Sequence, residues 1–203
     1  TVAMMAQSLN LTVIVGKQDP LPYLIIQPLG FFIFLVAGLA EVGRIPFDIP
    51  HAESEVMGGP FIEYSGIHWA MFFLAEYANT FAIAALATLL FLGGWNGPFL
   101  HPLIWFMVKS YAVVLVIFWL RATFPRFRID QLMAFAWKSL LPLSFVNLLI
   151  VGFYVYYQWH VLTGLGISII VTAGIGIELY RRQRKALARY LGAGAYLRRR
   201  SVA

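Results

Sequence analysis

The feature that most constrains this chain is a series of six long apolar segments separated by short polar stretches. A transmembrane helix needs about 20 consecutive apolar residues, whereas a membrane strand needs only about 9–11 residues of alternating polarity. The sequence therefore predicts an all-α, polytopic transmembrane helical bundle, with about five full spans after a truncated N-terminal one. The predicted spans are residues 2–15 (partial), 21–40, 67–94, 99–120, 139–159 and 161–180.

Composition favours a single membrane domain over residues 1–203 rather than a soluble domain. Hydrophobic residues make up 61% of the chain and the mean hydropathy is +0.77. The chain contains no cysteine, which excludes disulfides, Cys-ligated zinc and Cys-ligated iron–sulfur clusters within it. The sequence begins part-way through a hydrophobic segment, so we expect a fragment or a split gene product.

Basic residues predict the orientation in the membrane. Of fifteen Lys and Arg, eight follow Tyr180 and four lie within residues 121–138. Cytoplasmic loops carry an excess of Lys and Arg, so we predict that this loop and the tail 181–203 face the cytoplasm. Counting spans backward places the loop 41–66 on the same side. We expect a multi-pass protein of a bacterial inner (plasma) membrane, whose charge of +6 suits anionic lipid rather than nucleic acid.

Six of the nine carboxylates fall within residues 41–76. Acidic groups beside or within a bilayer are costly and are usually functional. Pro46 and Pro50 prevent a long helix between them, so the loop should be irregular but stiff. A solvated acidic turn is the alternative, but it does not explain Glu76, about 15 Å along the predicted third span and near the midplane. The six are Glu41, Asp48, Glu53, Glu55, Glu63 and Glu76.

Lys109 is expected at a similar depth in the following span, which enters from the opposite side. An intramembrane lysine normally needs an acidic partner or a hydrated cavity. Two interpretations stay open: Lys109 neutralises Glu76 between two helices, or the two residues form a proton-relay pair. Arg44 lies within helical i,i+3 reach of Glu41.

Residues 121–131 hold a third set of charges. Arg126 and Arg128 alternate with Phe127 and are followed by Asp130. This spacing can set guanidinium groups against the carboxylates of a facing loop while the aromatic ring contacts a ligand. A simple positive-inside loop is the alternative, which we favour for Arg121.

Together these motifs resemble the quinone-site membrane subunit of respiratory complex I, called the H subunit in bacteria and subunit 1 in mitochondria. The likeness runs from residue 1 to about residue 156. The segments that carry it are EVGRIPFDIPHAESEV (41–56), EYSG (63–66), FFLAEY (72–77) and RATFPRFRIDQ (121–131).

The resemblance implies a membrane subunit of a proton-pumping NADH:quinone oxidoreductase, with quinone as substrate and no redox centre in this chain. Flavin and iron–sulfur clusters would belong to partner subunits. Those partners are a cluster-bearing subunit over the cytoplasmic loops and neighbouring small and antiporter-like membrane subunits. In this family the loop helps form the quinone cavity, and acidic residues line a hydrated path toward the antiporter-like subunits. The family's front half, including its first span and a quinone-tunnel loop, has no counterpart here.

Site residues follow from the resemblance and from the residue patterns together. The family usually has Glu where His51 stands, which places a group that titrates near neutrality in the acidic cluster. The predicted proton path is Glu41, Asp48, His51, Glu53, Glu55, Glu63, Glu76 and Lys109. The predicted quinone cavity and its support are Arg44, Phe47, Arg126, Arg128 and Asp130.

Three alternatives to this function stay open. Membrane-bound hydrogenases contain a homologous subunit without quinone chemistry. An ion-coupled secondary transporter would usually show paired broken helices in corresponding halves, which the sequence lacks. A purely structural anchor would leave Glu76 and Lys109 unexplained.

Overall fold

The computed structural model describes residues 1–48, 63–99, 101–125, 127 and 129–157, together with the single residues 166 and 174. Every regular element in this part of the chain is a helix, which confirms the all-α prediction. Three helical segments are long and apolar enough to cross a membrane: Ile67–Phe91, Pro102–Thr123 and Asp130–Tyr157. The predicted number of spans, about five plus a partial one, stays a prediction.

The first predicted segment forms two short helices rather than one partial span. Helix α1 covers Val2–Ala6 and α2 covers Leu11–Gly16. Gln7 ends α1 in a left-handed conformation with φ 51°, and the Asn10 side chain caps α2 by accepting a hydrogen bond from the Thr12 amide at 3.0 Å. Because asparagine is a preferred N-cap residue, Asn10 starts a new helix within the apolar run.

The second predicted span, 21–40, is also interrupted. Helix α3 covers only Tyr23–Ile26, and α4 covers Pro28–Val42 with Gln27 between them. Proline is tolerated at the first position of a helix, so α4 begins late at Pro28. It ends where Gly43 adopts a left-handed φ of 64°, the usual conformation of a residue just past a helix end.

Helices α5 (Ile67–Phe91) and α6 (Pro102–Thr123) form an antiparallel hairpin. Small residues let them approach closely, and Ser110 Oγ lies 3.4 Å from Thr88 Oγ1 across the interface. Helix α4 packs along α5, with Gly38 so close to Ile83 that an added Cβ would lie 2.6 Å from its Cγ2 atom. The buried core between the three helices consists of Leu35, Leu39, Phe47, Ala84, Ala87, Val113 and Ile117.

The predicted loop 121–138 is largely helical. Helix α6 continues to Thr123, and α7 covers Ile129–Phe135. A π-helical stretch, Ala136–Leu140, then leads into α8, Leu141–Tyr157. Pro142 has no N–H for the carbonyl of Lys138, which explains the irregular turn just before it. The predicted span 161–180 and the tail 181–203 lie outside the described residues, except for residues 166 and 174.

Candidate functional site

Arg44 and Glu76 form a largely buried ion pair between the turn after α4 and helix α5. Arg44 Nε lies 3.4 Å from Glu76 Oε1, and the two side chains are 8% and 20% exposed. The guanidinium also lies over the Tyr77 ring, 4.5 Å from its centroid. A cation above an aromatic ring is attracted to its electron-rich face, so Tyr77 gives Arg44 a second contact.

The turn after α4 directs Arg44 back into the bundle. Gly43 allows the chain to reverse, and the Arg44 amide donates to the Leu39 carbonyl at 3.4 Å. The Phe47 amide then donates to the Arg44 carbonyl at 2.8 Å, which closes a tight turn. Arg44 is 7% exposed as a result, although it follows the end of a helix.

This ion pair differs from both pairings that the sequence suggested. Glu41 is exposed on the last turn of α4 and makes no ion pair within the described residues, so Arg44 reaches Glu76 instead of its i−3 neighbour. Lys109 is not the partner of Glu76. The two interpretations of a Glu76–Lys109 pair are therefore wrong.

Lys109 binds backbone carbonyls at the other end of the hairpin. Its Nζ donates to the carbonyls of Leu92 at 2.8 Å, Gly94 at 3.2 Å and Asn96 at 2.7 Å. Leu92 directly follows the last residue of α5, and Gly94 and Asn96 lie in the turn beyond it. Lys109 thus stabilises the turn that follows α5 with all three of its N–H groups.

The register of the helices places Glu76 and Lys109 at different levels of the α5–α6 hairpin, and the predicted membrane depth of Glu76 stays a prediction. Thr88 of α5 faces Ser110 of α6, which is next to Lys109 in the sequence. Glu76 lies twelve residues before Thr88, which corresponds to about 18 Å of helix. Arg44 lies just past α4, so Glu76 is level with the C-terminal end of α4 rather than with its middle. The first nine residues of α5 extend about 14 Å beyond that level.

Phe47 and Phe127 bring the two predicted site loops together. Their rings stack with centroids 5.8 Å apart, and the Phe127 amide donates to the Pro46 carbonyl at 3.0 Å. Beside them lies a cavity of about 190 Å³ with an entirely apolar lining. Residues 121–131 thus approach the start of the acidic loop, while the predicted pairing of Arg126 and Arg128 with loop carboxylates lies outside the described residues and stays a prediction. The residues that line the cavity are Phe32, Leu35, Val36, Leu39, Pro46, Phe47, Leu120, Phe124, Phe127 and Phe135.

The other predicted site residues are dispersed or lie outside the described part. Asp48 is partly buried, whereas Glu63 and Asp130 are exposed. Among the described residues, no group of three or more His, Cys, Asp or Glu side chains is placed to hold a metal ion. The remaining predicted residues fall outside the described part of the chain: His51, Glu53, Glu55, Arg126 and Arg128.

Tyr77 is a site residue that sequence reasoning did not single out. Its ring contacts the Arg44 guanidinium and also packs 4.8 Å from the Phe73 ring. The signal was present in the order of residues, because Tyr77 directly follows Glu76 in the FFLAEY segment. An aromatic side chain next to a carboxylate in an apolar helix is a reasonable partner for the same cation.

These helices and the buried ion pair define a polytopic helical membrane protein with an internal charged site. A family model described as NADH dehydrogenase matches residues 1–152. The chain belongs to this NADH dehydrogenase family.

Individual relatives agree with the family. The chain is 50% identical over 178 residues to the H subunit of NADH-quinone oxidoreductase from Dehalococcoides mccartyi (strain CBDB1), an alignment that covers 88% of this chain and 50% of the relative. It is 52% identical over 158 residues to the corresponding protein of Geobacillus thermodenitrificans (strain NG80-2), which covers 73% of this chain and 46% of that protein. The chain thus spans about half the length of the curated relatives it matches.

Proposed function

We propose that this chain forms part of the quinone-site membrane subunit of a proton-pumping NADH:quinone oxidoreductase in a bacterial inner membrane. Family membership and the names of the relatives support this assignment. The residues proposed to surround the quinone are Arg44, Phe47, Arg126, Arg128 and Asp130. Quinone is the substrate, and the electrons come from an iron–sulfur cluster in a partner subunit over the cytoplasmic loops.

The observation that carries the proposal is the Arg44–Glu76 ion pair. Reduction of a quinone to a quinol takes up two electrons and two protons, and acids that give up these protons, such as Asp48 and those that follow it, become negatively charged. Close, buried carboxylates titrate as a coupled set. Arg44 lies four residues before Asp48 and contacts Glu76, so it can transmit a charge change in the loop to α5.

The proposed proton path is narrower than the residue pattern alone suggested. It includes the loop acids, His51 and Glu76, and it leads toward neighbouring antiporter-like membrane subunits. Lys109 is left out of it, because its N–H groups donate to three backbone carbonyls far from Glu76. Glu41 and Glu63 stay in the proposed proton path, although both side chains are exposed.

Glu76→Gln tests this function, because glutamine keeps the shape of the side chain and removes its titratable group. We expect strongly reduced proton pumping by the assembled complex in membrane vesicles, with or without a loss of quinone reduction. Asp19→Asn is the matched control: it removes an exposed carboxylate from the turn before α3 and should change neither activity. Normal pumping and normal turnover in Glu76→Gln would contradict the proposal.

A further inference from the structure

The break between α3 and α4 buries a polar side chain inside the helical bundle. Gln27 has non-helical backbone angles, φ −135° and ψ 62°, and is 1% exposed. Its Nε2 donates to Asn147 Oδ1 on α8 at 3.3 Å. Within the described part of the chain, Gln27 Oε1 is buried and accepts no hydrogen bond.

A buried amide oxygen that accepts no hydrogen bond needs a donor. Leaving such a group unsatisfied costs about 1–3 kcal/mol, and buried polar atoms generally bind either protein or ordered water. Pro28 also removes one backbone donor from the break, because its ring nitrogen carries no hydrogen. Irregular backbone at membrane depth is tolerated where it is buried in protein or lines a water-filled cavity.

The neighbouring residues leave room for the Gln27 amide, and a cavity lies at its hydrogen-bond partner Asn147. A Cβ atom on Gly30 would lie 2.9 Å from Gln27 Cδ, so only glycine leaves this space to the Gln27 side chain. Asn147 also lines a cavity of about 630 Å³ together with Gly30 and Ser144. A water molecule occupies roughly 30 Å³ in the liquid, so the cavity has room for water beside the polar groups of Asn147 and Ser144.

We propose that Gln27 and Asn147 form a water-binding site at the α3–α4 break, in which a buried water molecule donates a hydrogen bond to Gln27 Oε1. Water suits this position because it can donate to Gln27 Oε1 and is small enough for a buried site. The site lies apart from the Arg44–Glu76 pair and does not rest on the proposed function.

Gln18 provides a matched comparison within the same chain. It is 3% exposed, and its amide is fully bound by protein backbone. Gln18 Nε2 donates to the Leu89 carbonyl at 2.8 Å, and the Gly93 amide donates to Gln18 Oε1 at 2.7 Å. Water is therefore expected at Gln27 and not at Gln18.

Radiolytic hydroxyl-radical footprinting of the assembled complex in membranes tests the site, because it oxidises side chains next to bound water. Tyr23 is the reporter: it is 4% exposed and lies one turn before Gln27. We expect Tyr23 to be oxidised despite its burial, and Gln27→Met to lower that oxidation several-fold. Gln18→Met should leave it unchanged.

Several outcomes would overturn the water site. These are an unoxidised Tyr23, equal oxidation in the wild type and Gln27→Met, and labelling that changes when Na⁺ replaces K⁺, which would indicate a cation instead. If Gln27→Met does not assemble, Asn147→Leu removes the other side chain of the site and should also lower Tyr23 oxidation. A density map of the complex should show water about 2.7–3.2 Å from Gln27 Oε1, and a protein donor there would refute the proposal.

Discussion

The contact between Arg44 and Glu76 joins two motifs that are separated in sequence by the acidic loop. Removing one partner of a buried ion pair leaves an uncompensated charge, whereas replacing both partners by uncharged groups is often neutral. The loss on removing one partner is about 3–5 kcal/mol for a fully buried pair, and the 20% exposure of Glu76 lowers it here. Arg44 is therefore tied both to stability and to the charge state of α5.

Arg44→Met should destabilise the assembled complex and reduce quinone reduction, because Glu76 loses its cation. The double variant Arg44→Met/Glu76→Gln should recover part of the lost stability, since no unpaired charge then remains. The thermal unfolding temperature of the two single variants and the double variant measures this coupling. Arg121→Met is the control, because Arg121 is exposed at the end of α6. Strictly additive effects of the two substitutions would show that the pair carries no coupling.

At the scale of helices, the sequence predicted the long apolar elements well and their breaks less well. Helix α5 begins at Ile67 as predicted, because a continuous apolar run follows a glycine-containing turn. The break at Gln27 was signalled by Pro28, but the division of residues 2–15 depends on single capping residues within an apolar run. The basic residues at 121–138 suggested a loop, although four arginines and lysines are compatible with helix ends that reach the membrane surface.

The pairing of charged residues could not be predicted, because it depends on how far one helix extends past another. Counting from the start of each helix put Glu76 and Lys109 at the same depth. The observed register instead puts Lys109 beside the α5–α6 turn and Glu76 beside the end of α4. The apolar pattern along α5 carries no information about this offset, which arises from the close packing of α4 and α6 on it.

Lys109→Met should destabilise the α5–α6 hairpin, because three carbonyls lose a charged donor. We expect a loss of about 1–3 kcal/mol, in the range for buried polar groups left without a partner. The amount of assembled complex and its resistance to heat measure this effect. Lys138→Met, at an exposed position in the π-helical stretch, should be close to neutral. Normal stability with abolished pumping in Lys109→Met would instead return Lys109 to the proton path.

For the whole molecule, the two polar centres lie at opposite ends of the α5–α6 hairpin. The Arg44–Glu76 pair lies near the ends of α4 and α6, where the Phe47–Phe127 contact joins the two site loops. At the other end, Gln18 and Lys109 fix the turn that follows α5. If the chain crosses a membrane as predicted, these two centres face opposite sides of it.

Single cysteines introduced into this cysteine-free chain should reveal that orientation. Lys138→Cys is expected to react with an impermeant thiol reagent only in inverted vesicles, because basic loops stay on the cytoplasmic side. Asp19→Cys, in the turn before α3, should react in intact cells. Both positions are exposed in the structure, so a lack of reaction cannot be attributed to burial within this chain. Reaction of Lys138→Cys from outside intact cells would invert the topology and contradict the quinone assignment.

The close approach of Gly38 to Ile83 limits which substitutions the chain can accept at position 38. An alanine at position 38 would meet a branched side chain that has few alternative rotamers, so α4 would have to shift away from α5. Arg44 follows on the same side of the bundle and would move with α4. Gly38→Ala adds one methyl group and alters no charge. It would nevertheless separate Arg44 from Glu76. Genetic screens for uncoupled variants should therefore recover changes at this glycine as well as at the charged residues.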